Sequence, residues 1–143
     1  MNVLKRWRAV PRTERRALWP AAWRLAMVRV LLATRGTAGA QKFLANRAKA
    51  GTRILESPEL WQTRAGALQR LSTRMPATRC LARSITLWWW MRASGLAPTL
   101  QVGIRQTQPD LQGHAWVECN GHVFGETRDG AASYTMLNWK VPD

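Results

Sequence analysis

The chain has 143 residues, enough for one domain or a small domain with an N-terminal extension, and at 46% hydrophobic it is too apolar for wholesale disorder. Its formal charge of +14 suggests an anionic partner (nucleic acid, an acidic peptide or protein, an anionic membrane surface) or a solvated cationic surface, because the arginines are scattered from Arg6 to Arg128. Two cysteines exclude a disulfide scaffold and fit a reducing, cytoplasmic setting.

Lys5, Arg6 and Arg8 charge the N-terminus, but no short apolar core with small cleavage-site residues follows, so no secretory signal is expected. The most apolar long segment, Ala17 to Ala33, is interrupted by Arg24 and Arg29, and no membrane span is expected there. Trp19, Ala22, Trp23, Ala26, Met27, Val30 and Leu31 recur at three- and four-residue steps. They predict a helix with a broad apolar stripe, with Pro20 in its first turn and Gly36 as its stop. A weaker helical run over Ala38–Ala50 carries Phe43 and Leu44 and breaks at Gly51. Ser57-Pro58-Glu59 reads as an N-cap, a first-turn proline and an acid that suits the helix dipole. The helix it starts carries Leu60, Trp61, Ala65, Leu68 and Leu71.

With Thr78 as N-cap, Cys80 falls in the first turn of the next helix, which runs through Trp88-Trp89-Trp90 to Ser94-Gly95. That helix is apolar nearly all round and is expected to be central and buried. The period then changes. Thr99–Gln106 alternates as a strand, His114–Cys119 and His122–Glu126 flank the hairpin signal Asn120-Gly121, and Tyr134–Val141 supplies a last strand. Helices first and strands later define an α+β fold, with N-terminal helices over residues 1–72 and, over residues 73–143, a core whose central helix packs on a small antiparallel sheet.

The hairpin can close in two registers. A two-residue loop pairs Cys119 with His122 and gathers Ala115, Val117, Cys119, His122, Phe124 and Glu126 on one face. A three-residue loop with Gly121 as a left-handed bulge pairs Glu118 with His122 and puts His114 opposite Glu126. The bulged register sorts the side chains more cleanly and is the one expected.

A thiol at a helix N-terminus with a histidine on a downstream strand is the arrangement of a papain-like nucleophile: dipole and imidazolium both favour thiolate. Cys80 is therefore the candidate nucleophile, His114 the candidate base and acid, and Glu126 the candidate carboxylate that orients the ring. The Cys80 backbone N–H is a natural oxyanion donor, and a second donor is not assigned. The plainer alternatives are a buried structural cysteine and a structural histidine. Cys80, His114, Cys119 and His122 could in number hold a zinc ion, but no CxxC or HxxxH spacing supports it, and neither metal nor cofactor is expected.

Cys80-Leu81-Ala82-Arg83-Ser84, the Gly95-Leu96 helix end, Val102-Gly103-Ile104 and Gly113-His114-Ala115-Trp116-Val117-Glu118 together resemble the transglutaminase-like leader peptidases of lasso-peptide biosynthesis, in their stand-alone form. The resemblance is strongest over residues 76–126. It implies a transglutaminase-like core and a cysteine peptidase that removes the leader from a ribosomally made precursor. It also implies two partners: a small winged-helix protein that presents the leader, and an asparagine-synthetase-like cyclase that closes the ring. Cys80 and His114 match the family's nucleophile and base. The third position is usually aspartate, and the matching place here holds Glu126, with Asp129 and Asp110 as alternatives. Two other functions fit parts of the sequence: acyl transfer to an amine at the same site, and a non-enzymatic basic binding or scaffold protein. No RNP, zinc-finger or clear helix-turn-helix signature supports nucleic-acid binding.

Overall fold

The computed structural model describes residues 2–49, 51–55, 57–73 and 79–137, with Arg79 described by its backbone alone. The expected Thr78 cap and the end of the expected last strand lie outside those residues. The elements run α1 (Val3–Arg8), α2 (Arg12–Arg47), α3 (Pro58–Ser72), α4 (Arg79–Ala93), β1 (Thr99–Thr107), β2 (Asp110–Cys119), β3 (His122–Phe124), α5 (Arg128–Ala132) and β4 (Thr135–Met136). The expected α+β class holds: four helices precede an antiparallel sheet of order β3-β2-β1-β4.

Two expectations about α2 are corrected. The helix begins at Arg12, so Pro20 lies inside it rather than in its first turn. The buried face is also a different one: Ala17, Ala21, Leu25 and Val28 are buried, whereas Trp19 is 77% exposed and Val30 61% exposed. The segment is apolar on two sides, so periodicity alone could not choose between them. Packing on α3 and α4 favours the side whose alanines let helix axes approach closely. On the other side Arg24 covers part of the tryptophan surface, its guanidinium 4.3 Å from the Trp23 ring centroid and 4.6 Å from that of Trp90. Gly36 does break the helix, with φ 69° and ψ 179°.

The Ser57 hydroxyl caps α3 by accepting from the Leu60 N–H at 3.4 Å. Helix α4 is the centre of the molecule, with every residue from Ser84 to Met91 buried. Its end is closed by Gly95 at φ 85°, and the Arg92 side chain donates to the Ala48 carbonyl at 2.6 Å, which ties down the end of α2. Leu100, Val117 and Phe124, register neighbours across β1, β2 and β3, put one sheet face into the main core with α2, α3 and α4.

The hairpin closes by the simpler turn, which corrects the expected bulge. Cys119 pairs with His122, Glu118 with Val123 and Val117 with Phe124. Asn120 (φ 50°) and Gly121 (φ 79°) both sit at positive φ, as a type I′ turn requires. Burial explains the choice: this register sends Phe124, the largest apolar side chain of β3, wholly into the main core. His122, which makes that face look mixed in the sequence, stands exposed at its end.

The opposite sheet face carries a second small core of Trp116, Ala131 and Tyr134, with Val123 against it. Gly103, the register partner of His114, makes room for it: a Cβ there would lie 2.7 Å from the Tyr134 Cβ and 3.0 Å from the Trp116 ring. Gly113, by contrast, has no atom within 4 Å of an added Cβ. Gly103→Ala is therefore expected to cost about 1–3 kcal/mol by overpacking, and Gly113→Ala to be close to neutral. Denaturant unfolding of the two variants checks this, and equal stabilities would contradict it.

Candidate functional site

Strand β3 stops at Phe124 because Gly125, at φ 86°, turns the chain out of the sheet. Beyond that point β2 has no strand partner on its β3 side among the described residues. The N-terminal turns of α4 use this open edge. The Ser84 hydroxyl donates to the Ala115 carbonyl at 2.8 Å, and the Ala115 backbone also hydrogen-bonds to Cys80. The same edge brings the Cys80 thiol into a hydrogen bond with the His114 imidazole.

His114 is fixed on three sides. Its Nε2 lies 3.0 Å from Glu126 Oε2 and 3.3 Å from the Gly125 carbonyl. Its ring lies against Trp116 and Tyr134, with centroids 6.0 and 5.5 Å away. Glu126 is fixed in turn. Its Oε1 accepts from the Thr127 N–H at 2.8 Å, at the start of α5, where Thr127 caps the helix by accepting from the Gly130 N–H at 2.9 Å. A Cβ at Gly130 would overlap the Glu126 carboxylate, so the glycine is what admits it.

The electrostatics follow from these contacts. The hydrogen bond from His114 holds the Cys80 thiol below its ordinary range, against the opposing effect of burial; the Ala115 backbone, the His114 charge and the Arg83 guanidinium act in the same direction. His114 is held above its ordinary range, first by its bond to Cys80, then by the charges of Cys80 and Glu126 and by the Gly125 carbonyl; burial opposes this. Such a pair favours thiolate beside imidazolium. Cys119 goes the other way: burial pushes its thiol up.

A cleft of about 430 Å³ opens on the His114–Glu126 side of this site, walled by Gln62, Ala65 and Gly66 of α3, Arg83 of α4, and His114 and Glu126. The structure thus brings Cys80, His114 and Glu126 together. Asp110 and Asp129 are exposed and Glu126 occupies the position beside the ring. The expected His114–Glu126 contact is present, but not for the expected reason: it comes from the Gly125 turn and the Thr127 cap, not from a bulged register. The sequence reading missed Thr127 and Gly130, whose signal is a Thr-x-x-Gly helix start, and the electrostatic part of Arg83. Cys119 and His122 lie at the far end of β2, about 17 Å from His114 at strand rise. Among the described residues no group of three or more possible ligands could hold a metal ion.

A thiol at a helix start, an imidazole on a strand and a carboxylate behind it are the groups that cysteine-dependent acyl transfer uses, here carried on an α+β fold. The Transglutaminase-like superfamily model matches residues 15–138, and the chain belongs to that superfamily. Members of the superfamily are typically cysteine-dependent enzymes and include peptidases and acyltransferases. No curated protein and no solved structure matches the chain. Among the described residues no helix is long and apolar enough to cross a membrane.

The pKa directions give a sign for reactivity. A thiol held low is thiolate on the acid side of the free-thiol range, so iodoacetamide should alkylate Cys80 there, while buried Cys119 should stay unreactive. In His114→Asn the onset for Cys80 should move to higher pH. Alkylation followed by mass spectrometry against pH checks this. Equal rates at the two cysteines, or a profile unmoved by His114→Asn, would contradict it.

Proposed function

We propose that the chain is a cysteine peptidase that removes the leader from a ribosomally synthesised lasso-peptide precursor. The observation that carries the peptidase reading is the juxtaposition of Cys80, His114 and Glu126: the thiol interacts with the imidazole, the imidazole pairs with the carboxylate at 3.0 Å, and His114 and Glu126 line a cleft. The likeness of the Cys80–Ser84 and Gly113–Glu118 runs to lasso leader peptidases supports the particular substrate.

The Cys80 thiolate attacks the scissile carbonyl. The tetrahedral oxyanion meets the Cys80 N–H at the helix start, where the dipole also stabilises it. Imidazolium His114 then gives its proton to the leaving amine, and the core peptide departs with a free N-terminus. The leader stays on Cys80 as a thioester. Neutral His114 next takes a proton from the attacking water, the thioester breaks, and the leader leaves as its carboxylic acid, which gives its proton to solvent, while thiolate and imidazolium re-form. Glu126 holds the ring and balances its charge throughout. In this reading a winged-helix partner presents the leader, and an asparagine-synthetase-like cyclase uses the released amine of the core peptide.

Precursor cleavage followed by mass spectrometry, with and without the winged-helix partner, tests this. Cys80→Ala should abolish cleavage with the fold intact, and Cys119→Ala should cleave nearly normally. Glu126→Gln should lower turnover by about 10²–10⁴-fold, the range found for triad orienting groups, while Glu126→Asp keeps substantial activity. The partner should stimulate cleavage, and added salt should weaken that stimulation because this surface is strongly cationic. A rate unaffected by Cys80→Ala would reject the reading. Transfer of the leader to an added amine in preference to water would replace it with a transglutaminase-type activity.

A further inference from the structure

We propose that the substrate polypeptide continues from the catalytic cleft across Gly66 into a groove between α1 and α3, and that this groove takes an aromatic or aliphatic side chain flanked by carboxylates. The proposal rests on the peptidase reading above and gives it a specificity element.

The groove is the larger of the two hollows, about 640 Å³, with Val3, Trp7, Val10 and Leu71 as its apolar lining. Gly66 and Gln69 of α3 line both the groove and the catalytic cleft, so the two hollows meet there. Gly66 is in the middle of a regular helix, where glycine is less favourable than alanine. Packing does not demand it: an added Cβ would meet no atom within 4 Å. That separates Gly66 from Gly103, which the core does require. What glycine does at position 66 is keep the passage between the hollows low and open.

Helix α1 buries none of its residues, and Trp7 is 49% exposed. It contributes little to the core and forms one wall of the groove. The charge around that wall selects the occupant. Arg6 lines the groove, and Trp7 extends into a neighbouring hollow lined by Arg12, Arg15 and Arg16. Glu14, an acid beside these arginines in sequence, is engaged by Arg70 through bonds of 2.6 and 3.3 Å. An apolar floor with a cationic rim fits a chain that pairs an apolar side chain with carboxylates. Exposed tryptophan and arginine are also the residue types that most often anchor recognition. A presenting partner would bring the precursor close, and the groove would read the chain beside the scissile bond.

The test uses fluorescein-labelled Gly-Ser peptides that carry one Phe-Glu-Glu segment, against the same peptides with Ser-Ser-Ser. Anisotropy on the Cys80→Ala protein reads binding without turnover. The Phe-Glu-Glu peptide should bind about tenfold tighter than its control, and Trp7→Ala or Arg6→Glu should remove the difference. In the protein with Cys80 intact, bound Phe-Glu-Glu peptides with Gly-Ser tails should slow alkylation of Cys80 by iodoacetamide. Gly66→Leu, which fills the passage, should remove that protection, and Gly66→Ala should retain more of it. Equal binding of the two peptides overturns the proposal. So does tight binding that leaves Cys80 alkylation unchanged, because the groove would then be a docking site unconnected with the cleft. Binding and protection without cleavage of any precursor would leave the groove standing and remove the peptidase reading instead.

Discussion

Gly125 turns the chain out of the sheet one residue after Phe124, and the site depends on that turn. Had β3 continued, its backbone would have taken the Ala115 groups for a strand ladder. The start of α4 takes them instead, through the Ser84 hydroxyl and Cys80. A backbone carbonyl left unpaired in the interior would be costly, so the Ser84 bond both satisfies the strand edge and locks the helix against it. The same turn swings Glu126 back toward β2 and delivers it to the far side of the His114 ring. One glycine thus decides where the thiol packs and where the carboxylate arrives.

The local electrostatics run against the general charge of the chain. A protein at +14 tends to push histidines toward the neutral form, and burial adds to that. His114 nevertheless keeps a raised affinity for its proton because the thiolate and Glu126 face it from two sides. Arg83 acts on Cys80 from the cleft wall and favours the anion. The cations around Trp7, Arg6 among them, border the hollow that shares Gly66 and Gln69 with the cleft beside His114. Charge is therefore separated by depth: facing charges beside the Cys80 thiol, an excess of arginine outside it.

Much of this was legible in the sequence, for identifiable reasons. Helix α3 announces itself through Ser57-Pro58-Glu59, and α4 through an apolar run too continuous for a surface helix. The Cys80–His114 pairing follows from having only two cysteines and two histidines to choose from. Other features depend on information that local pattern does not hold. The Trp19 and Leu25 sides of α2 are both apolar, and only the shape of α3 and α4 decides between them. The register of the Asn120-Gly121 hairpin turned on where Phe124 could be buried, a property of the whole core. Helices α1 and α5 have 6 and 5 residues, too short for a periodic signal, although Thr127 and Gly130 mark the second by its cap.

The proposed cleavage is covalent: in it the leader would pass through a thioester on Cys80 while the core peptide would leave as a free amine. Intact-protein mass spectrometry after rapid acid quenching, during turnover of the precursor, tests it most directly. The account predicts a transient species heavier than the free protein by the mass of the leader acyl group, mapped to Cys80 and released by hydroxylamine. Precursor processed at full rate with Cys80 never modified would contradict it.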